Sequence, residues 1–558
     1  MGKERAELHM HTKMSEMDGV ASIGEYIKRA AEWRYPEIAV TDHSCVQAFP
    51  EAMRAAEKCK RQGNSIKIIY GMEAYCREDE ETQPFHITIL AQNQTGLKKI
   101  YSLVSGSHLH NFQGVPIITK EELQKHRTGL LIGSGCGNGK LFCAVAQGKE
   151  PEELRAIARE CDFLEIQPVW NCKYLTTDSG KIREELQRIN RMIVQIGEKM
   201  QIPVCATGNV HYLESEDAQA RCILKKIRGF SEDKSQGPMH FRSTEEMLED
   251  FDYLGKEKAY EVVIENTNQI AEKIEDIRPI PEGRFYPHMA DADEWLDAIV
   301  RSRADALYGD PLPGIVKERI EKELSVVREQ KTALLFLIAR QQVTHSEQSG
   351  FHVMTCGSAG ASLLSYLTGI SEVNPLPTHY RCPNCRHIEF WIRSEIESVF
   401  DLPQKVCPVC VGKMQSEGQN ISWQDFFGRN GEKIPDFNLN FSGEYISCGY
   451  AKQYLEKLFG KACIVNAGAV MTVSERLAHQ YLLEYKEKTG AQFSEETEKR
   501  LIYLLTGVKR AFVKQPGRLV VIPEDFAAED FTPLQYAGDD LHSAICTHFD
   551  FHNLEKNF

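Results

Sequence analysis

Glu7-Leu8-His9-Met10-His11-Thr12, with Asp18 seven residues beyond His11, is the stretch on which the reading of this chain turns. In an extended strand, side chains two apart share a face, so His9 and His11 present both imidazoles to one side. A lone His-x-His is equally a pair of surface histidines. The residues that follow give it weight. Asp42-His43 ends the run Glu37-Ile38-Ala39-Val40-Thr41, Glu73 follows Ile68-Ile69-Tyr70-Gly71-Met72, and His86 opens Ile87-Thr88-Ile89-Leu90. Cys136 follows Leu130-Leu131-Ile132-Gly133-Ser134-Gly135, and Asn209 and His211 follow Pro203-Val204-Cys205-Ala206-Thr207-Gly208. Imidazole, thiolate and carboxylate groups thus recur where predicted strands end. Together they predict a polynuclear site, since these are the donors that Zn, Mn and Fe ions prefer.

At 558 residues the chain has room for two to four domains. A hydrophobic fraction of 42% with 26% charged residues fits a soluble protein, and no uninterrupted apolar run reaches the roughly 18 residues of a membrane span. Met1-Gly2-Lys3-Glu4-Arg5 leads directly into a strand, without an apolar signal segment. The 17 scattered cysteines therefore read as reduced thiols in a cytoplasmic protein with no membrane partner. A net charge of -14 excludes a uniformly basic nucleic-acid surface but leaves room for a local basic groove.

From Glu7 to Leu213 short β-type runs alternate with amphipathic helices, beginning with a capping box at Ser22 and Glu25. Repeated strand-helix units favour a parallel, barrel-like sheet, in which functional groups gather where strands give way to loops. Helices are expected beyond Ser243, and Arg278-Pro279-Ile280-Pro281-Glu282-Gly283 marks a boundary. Thr355-Cys356-Gly357-Ser358-Ala359-Gly360-Ala361-Ser362 is a small-residue turn without the full pattern of a phosphate-binding loop, and tight packing is its preferred reading. Cys382-Pro383-Asn384-Cys385 and Cys407-Pro408-Val409-Cys410 form two Cys-x-x-Cys knuckles that predict a closed, structural zinc site. Four thiolates leave no coordination position for chemistry.

Read together, these motifs resemble the PolC-type DNA polymerase III alpha subunit. The first part is similar to the polymerase-and-histidinol-phosphatase (PHP) domain through His9-Met10-His11, Asp18, Thr41-Asp42-His43, Gly71-Met72-Glu73, Phe85-His86-Ile87-Thr88, Gly133-Ser134-Gly135-Cys136 and Thr207-Gly208-Asn209-Val210-His211. The likeness continues through Tyr308-Gly309-Asp310-Pro311-Leu312-Pro313, Glu372-Val373-Asn374-Pro375-Leu376-Pro377, the four cysteines, Asn440-Phe441-Ser442-Gly443-Glu444-Tyr445 and Thr547-His548-Phe549-Asp550-Phe551-His552. The resemblance implies an α/β chain: a PHP-type distorted (β/α)7 barrel, then an α+β palm-like polymerase remnant carrying the four-cysteine zinc knuckle. The expected domains are a barrel over 1–225, a helical connection over 226–285, the first part of the palm over 286–380, the zinc-binding insertion over 381–415, and a remaining palm or thumb-like segment over 416–558.

Departures from the family pattern shape the expected function. The exonuclease domain that usually separates the elements carrying Glu73 and His86 is replaced by a short connection. The family's Pro-Asp-x-Asp motif reads Pro435-Asp436-Phe437-Asn438, so its second carboxylate is an amide. An arginine of the family's Ser-Arg-Gly-Ser turn is Cys356, with Ser358 ending that turn, and the chain ends at Phe558 before the family's third palm carboxylate and fingers. Lys509-Arg510 are retained, followed by only a partial match at Gln515-Pro516-Gly517-Arg518. A two-metal polymerase site needs anionic oxygens, so Asp436, Asn438, Cys356 and Ser358 read as a degenerate site without secure magnesium binding.

The expectation is a PolC-like homologue whose polymerase site is inactive and whose PHP site is a metal-dependent phosphoesterase. His9, His11, Asp18, His43, Glu73, His86, Cys136, Asn209 and His211 would hold two or three divalent ions (Mn, Zn or Fe), and Asp18, His43 and His211 would serve the hydrolysis of a phosphoester or pyrophosphate. Zinc on Cys382, Cys385, Cys407 and Cys410 would be structural. The expected partners are DNA or a nucleotide phosphoester, together with replisome proteins. The alternative is a non-catalytic DNA- or replisome-binding protein whose PHP metals brace the fold.

Overall fold

The computed structural model describes residues 3–79, 81–171, 179–229, 237–391, 398–447, 449–538 and 543–555. Its chain divides into two compact units, Met1–Phe285 with Val465–Phe558, and Tyr286–Ile464. Among the described residues, no helix is long and apolar enough to cross a membrane.

Short, buried, apolar runs form the first strands: β1 (Glu37–Val40), β2 (Lys67–Arg77), β3 (Phe85–Ala91), β4 (Ile117–Thr119), β5 (Leu130–Gly133), β6 (Leu164–Ile166) and β7 (Val204–Ala206). Helices between them cover the outside. Ser22 caps the helix Ile23–Glu32 through the capping box read from the sequence, and Ile23, Tyr26, Ile27 and Ala30 face inward at helical spacing. β1 pairs with β2, β2 with β3, β3 with β5 and β6 with β7, while β4 lies beside the last residues of β2. Single bridges link Glu7 to Ile38, Gly133 to Phe163 and Met10 to Val210. Followed from neighbour to neighbour, the pairing returns to the His-x-His segment, which is why residues distant in sequence share one end of the structure.

The parallel sheet expected from the sequence requires a correction. β3 runs antiparallel to both β2 and β5. Only residues 78–84 separate β2 from β3. That connection suits a reversal of direction and is too short for the crossover that a parallel pair demands.

In the second unit, the helices Ala292–Tyr308, Gly314–Gln330 and Ala333–Gln348 bury Leu296, Val300, Ile320, Leu324 and Phe336 in one apolar core. β8 (Met354–Cys356) is followed by β9 (His379–Arg381), β10 (Ile388–Phe390), β11 (Gln415–Glu417) and β12 (Asn438–Asn440). β10 and β11 flank β9, and β12 pairs with β8, all antiparallel.

The chain then returns to the first unit through β13 (Ile464–Thr472), β14 (Lys509–Val521), β15 (Leu534–Tyr536) and β16 (Ile545–Asp550), ordered β14-β13-β16-β15. The segment expected to be one domain, 416–558, is therefore divided near residue 464. Its second part has apolar partners in the first unit. Phe549 joins the core around Tyr101, and Leu482 and Leu501 pack with Ile223 and Leu224. Residues 226–285 also join this unit, with Ile270, Ala271 and Ile274 buried in the same core as β1 and β2.

Candidate functional site

The His-x-His segment is set by a buried ion pair behind it. Arg5 Nη1 donates to Glu7 Oε2 at 2.8 Å, and Glu7 accepts the amide hydrogens of His9 and Gly208, each at 3.0 Å. Both histidine rings are thereby aimed at Glu73, at the centre of β2. His9 Nε2 lies 3.3 Å and His86 Nδ1 3.1 Å from Glu73 Oε1, while His11 Nε2 lies 3.5 Å and His43 Nδ1 2.9 Å from Oε2. Asp18 Oδ2 is 3.2 Å from His43 Nε2 and 3.4 Å from His211 Nε2. Cys136 Sγ is 3.3 Å from His86 Nδ1. Gly135 makes that approach feasible: its φ is +78°, and a Cβ there would stand 2.4 Å from the His86 carbonyl oxygen. Asn209, at φ 45°, uses its backbone oxygen on His211 Nδ1 (2.9 Å) and its side-chain amide on Gln167 (3.3 Å).

Three donor triads result: His11, His43 and His211; His9, His11 and Glu73; and His43, Glu73 and His86, the ligand atoms in each lying within 4.8 Å of one another. The sequence-predicted residues therefore meet in one place, with Asp18, Cys136 and Asn209 beside the triads. Proximity alone does not distinguish a metal centre from a hydrogen-bonded cluster, and the hydrogen bonding of the donor atoms tests whether they fit an ion. His9 Nε2, His11 Nε2, His43 Nδ1 and both Glu73 oxygens are buried without a hydrogen-bond partner. Orphaned buried polar atoms are costly, and converging ones fit a cation at their shared focus. The remote ring nitrogens, by contrast, are engaged. His9 Nδ1 meets Glu165 Oε2 at 2.8 Å, and His11 Nδ1 meets Ser15 Oγ at 3.0 Å, which in turn donates to Asp42 at 2.7 Å. This is the outer support that fixes the rings of metal-binding histidines.

The charges follow the same logic. Burial opposes ionisation of Glu73, but His86 and His9 hold its carboxyl well below the usual range. Against its own burial, Asp18 is held well below the usual range by Arg221, whose Nε is 2.6 Å away, and by His211. Despite burial, Glu165 and Glu73 raise His9 to about 10, and the hydrogen bond to Asp18 with the nearby charge of Glu73 raises His43 to about 9. Burial and repulsion from neighbouring cations push His11 well down and His211 to about 4. Protons on His9 and His43 thus balance the carboxylates, a role a divalent cation can take over.

Several contributors escaped sequence reasoning. Glu165 left a signal, a carboxylate inside the apolar strand β6. Arg221 left none, since it lies on a helix with ordinary amphipathic spacing. The contribution of the C-terminal sheet was equally hidden. The Lys509 amide donates to the Lys13 oxygen (2.8 Å) and the Met17 amide to the Lys509 oxygen (2.9 Å), which grips the loop leading to Asp18. His548 Nε2 accepts the Val46 amide hydrogen at 3.1 Å, beyond His43. Lys509 and Arg510 also join the wall of a cleft of about 700 Å³ that reaches Asp18, His43, Glu73 and His211.

In the second unit, Cys382, Cys385, Cys407 and Cys410 converge, with Sγ separations of 3.3 Å for Cys382–Cys410 and 3.5 Å for Cys385–Cys407. Sulfurs about 2.3 Å from a tetrahedral zinc lie at comparable separations. The other predicted patch gathers without becoming such a centre. Asn438 is the β-ladder partner of Cys356, Asn440 Nδ2 lies 3.2 Å from Cys356 Sγ, and Lys433 Nζ lies 3.3 Å from Ser358 Oγ. Asp436 is exposed beside them, and among the described residues it belongs to no converging donor triad.

Comparison with known proteins gives two family matches: the PHP domain over residues 7–165 and the bacterial DNA polymerase III alpha NTPase domain over residues 294–504. The chain is similar to a "DNA polymerase III PolC-type" of Halalkalibacterium halodurans, 42% identical over 85% of this chain and 33% of the relative. The Bacillus subtilis protein of the same description is 41% identical over 86% of this chain and 33% of its own length. That of Staphylococcus aureus is 32% identical over 100% of this chain and 52% of its own. The chain thus spans between a third and about half of the length of these relatives.

Proposed function

Because the chain is a homologue of PolC-type DNA polymerase III carrying a PHP domain, we propose that its histidine-rich cleft is a metal-dependent phosphoesterase site and that its palm patch does not synthesise DNA. The observation that carries this reading is the set of buried, unpartnered atoms on His9, His11, His43 and Glu73. We assign the closed circuit of strands to the family's distorted (β/α)7 barrel. The domain course is a barrel, helices that pack back on it, a second unit with a zinc knuckle, and a returning sheet.

His9, His11, Glu73, His43, His86 and His211 would hold two or three divalent ions, with Asp18, Cys136 and Asn209 completing their surroundings. Such ions, Mn, Zn or Fe, supply acidified water and charge neutralisation for a phosphoester or pyrophosphate. The chain's own groups do the rest. Asp18 stays ionised beside Arg221 and holds the His43 and His211 edges at the open side of the cluster. His43 is placed between Asp18 and Glu73, where it can carry a proton to or from the cleft. Arg221, fixed on Asp18, orients that carboxylate and offers positive charge to a phosphoryl oxygen. Zinc on the four cysteines would hold β9, β10 and β11 in register. At the palm patch, Asn438 supplies an oxygen without charge and Cys356 no cation, so a magnesium-bound triphosphate has neither anchor there. DNA and replisome proteins are the partners that the family implies.

The test is phosphate release by the purified, manganese-loaded protein and its Asp18→Ala variant across phosphomonoesters, phosphodiesters and pyrophosphate. Folded Asp18→Ala protein should lose at least a hundredfold in turnover. Unchanged turnover would leave the ions with a bracing role only.

A further inference from the structure

The cleft leading to the histidines carries charge of the opposite sign to the chain as a whole. The protein's net charge is -14, yet among the described residues the cleft wall has five lysines and arginines against three acidic residues. Two of those acids, Asp18 and Glu73, are committed to the inner cluster, and Arg221 is committed to Asp18. Lys509 is buried, with its Nζ 3.7 Å from the third acid, Glu16, and the other three cations form the rim. Lys225 and Arg228 sit at the end of the helix Ala218–Ile227, and Arg510 is the second residue of β14, so two separate parts of the chain supply them. Arg228 and Arg510 are exposed and Lys225 is half-buried. Burial and the neighbouring Arg221 lower Lys225 to about 8, as a partly desolvated cation facing other cations requires. Tyr75, Phe112, Phe512 and Tyr536 also line the wall. Tyr75 stands edge-on to His86, with ring centroids 4.8 Å apart, and Tyr536 comes from β15.

A phosphoryl group at the histidine end does not by itself account for this rim, because Arg221 and the ions proposed there already meet its charge. We propose that Arg510, Arg228 and Lys225 form a second anion subsite, which holds a phosphate adjacent to the one at the histidines. The cleft would then take a nucleoside substrate with two or more phosphates, its base against Tyr75 or Tyr536, in preference to an isolated phosphomonoester. Arginine suits this task because its planar fork pairs with phosphate oxygens in two directions. This inference rests on the phosphoesterase reading for what occupies the inner end, and it adds the specificity-determining residues. A polynucleotide terminus and a nucleoside polyphosphate share the required chemistry.

The experiment is fluorescence-anisotropy binding of a labelled pentathymidylate to the full chain, competed with thymidine triphosphate, thymidine monophosphate and inorganic phosphate. The wild type should bind pentathymidylate or the triphosphate at least tenfold more tightly than the monophosphate. The stronger of the two competitors identifies the source. Arg510→Glu combined with Arg228→Gln should erase that preference and reduce the salt slope by about 1.4, the value for two lost contacts to a single strand. Lys225→Gln alone should reduce it in part, which keeps the test open if the double variant misfolds. Exposed Lys28→Glu, on the helix Ile23–Glu32, should leave affinity unchanged. Equal affinity for one and several phosphates, or a preference that survives in a folded double variant, would overturn the subsite. Metal-loaded wild type that shows the preference but releases no phosphate would overturn the hydrolase reading alone.

Discussion

The histidine cluster and the patch around Asp436 and Asn438 are both places where the sequence collects candidate metal residues, and they solve their hydrogen bonding in opposite ways. In the histidine cluster, atoms on His9, His11, His43 and Glu73 are buried together and left without hydrogen bonds, while the outer nitrogens of His9 and His11 meet Glu165 and Ser15. In the second patch, Asp436 and Asn438 are exposed, and Asn440 Nδ2 lies against Cys356 Sγ. Density of candidate ligands is therefore a poor guide. A metal centre is marked by donors that are supported from behind and unsatisfied in front.

The contrast can be broken most forcefully at Glu73. Glu73→Gln removes the carboxylate shared by four histidines, and turnover of any phosphoester should fall by at least a thousandfold. Because buried charge on His9 and His43 then keeps only one of its two carboxylate partners, Glu165 for His9 and Asp18 for His43, the metal-free variant should also be less stable, read from denaturant unfolding. Glu165→Gln touches no ion but releases the His9 ring, and manganese affinity measured by calorimetry should weaken about 10- to 100-fold. A smaller effect is expected from pH. His9, raised to about 10, and His43, raised to about 9, are protonated at neutral pH without metal. Metal must displace those protons, so affinity should rise with pH between 6 and 8, by about tenfold per unit for each proton released. The smallest effect belongs to the Asp436–Asn438 patch. Asn438→Asp restores a carboxylate without the missing arginine, and primer extension with magnesium and four nucleotides should remain undetectable. Extension by the unaltered chain would erase the contrast.

Much of the histidine cluster was legible because strands declare their ends. Alternation places His9 and His11 on one face, and apolar runs terminate at His43, Cys136 and His211, so local pattern implies a common rim. The Ser22 capping box and the two Cys-x-x-Cys knuckles were legible for the same reason, each being written within a few residues. The reversed direction of β3 was not, since it follows from how short the connection after β2 is and not from its residue types. Arg221 and the return of residues 465–558 were also hidden. They depend on which apolar faces find one another, as Leu482 and Leu501 find Ile223 and Leu224, and a linear pattern carries no such partner information.

The metal content of the pure protein bears most directly on the difference between the two regions. Elemental analysis with native mass spectrometry on the wild type, Glu73→Gln and Cys407→Ser should find one zinc that disappears only in the cysteine variant. It should also find two or three further ions that disappear only with Glu73. A wild type that holds a single ion after loading, with Glu73→Gln unchanged, would contradict the proposed metal centre at the histidines.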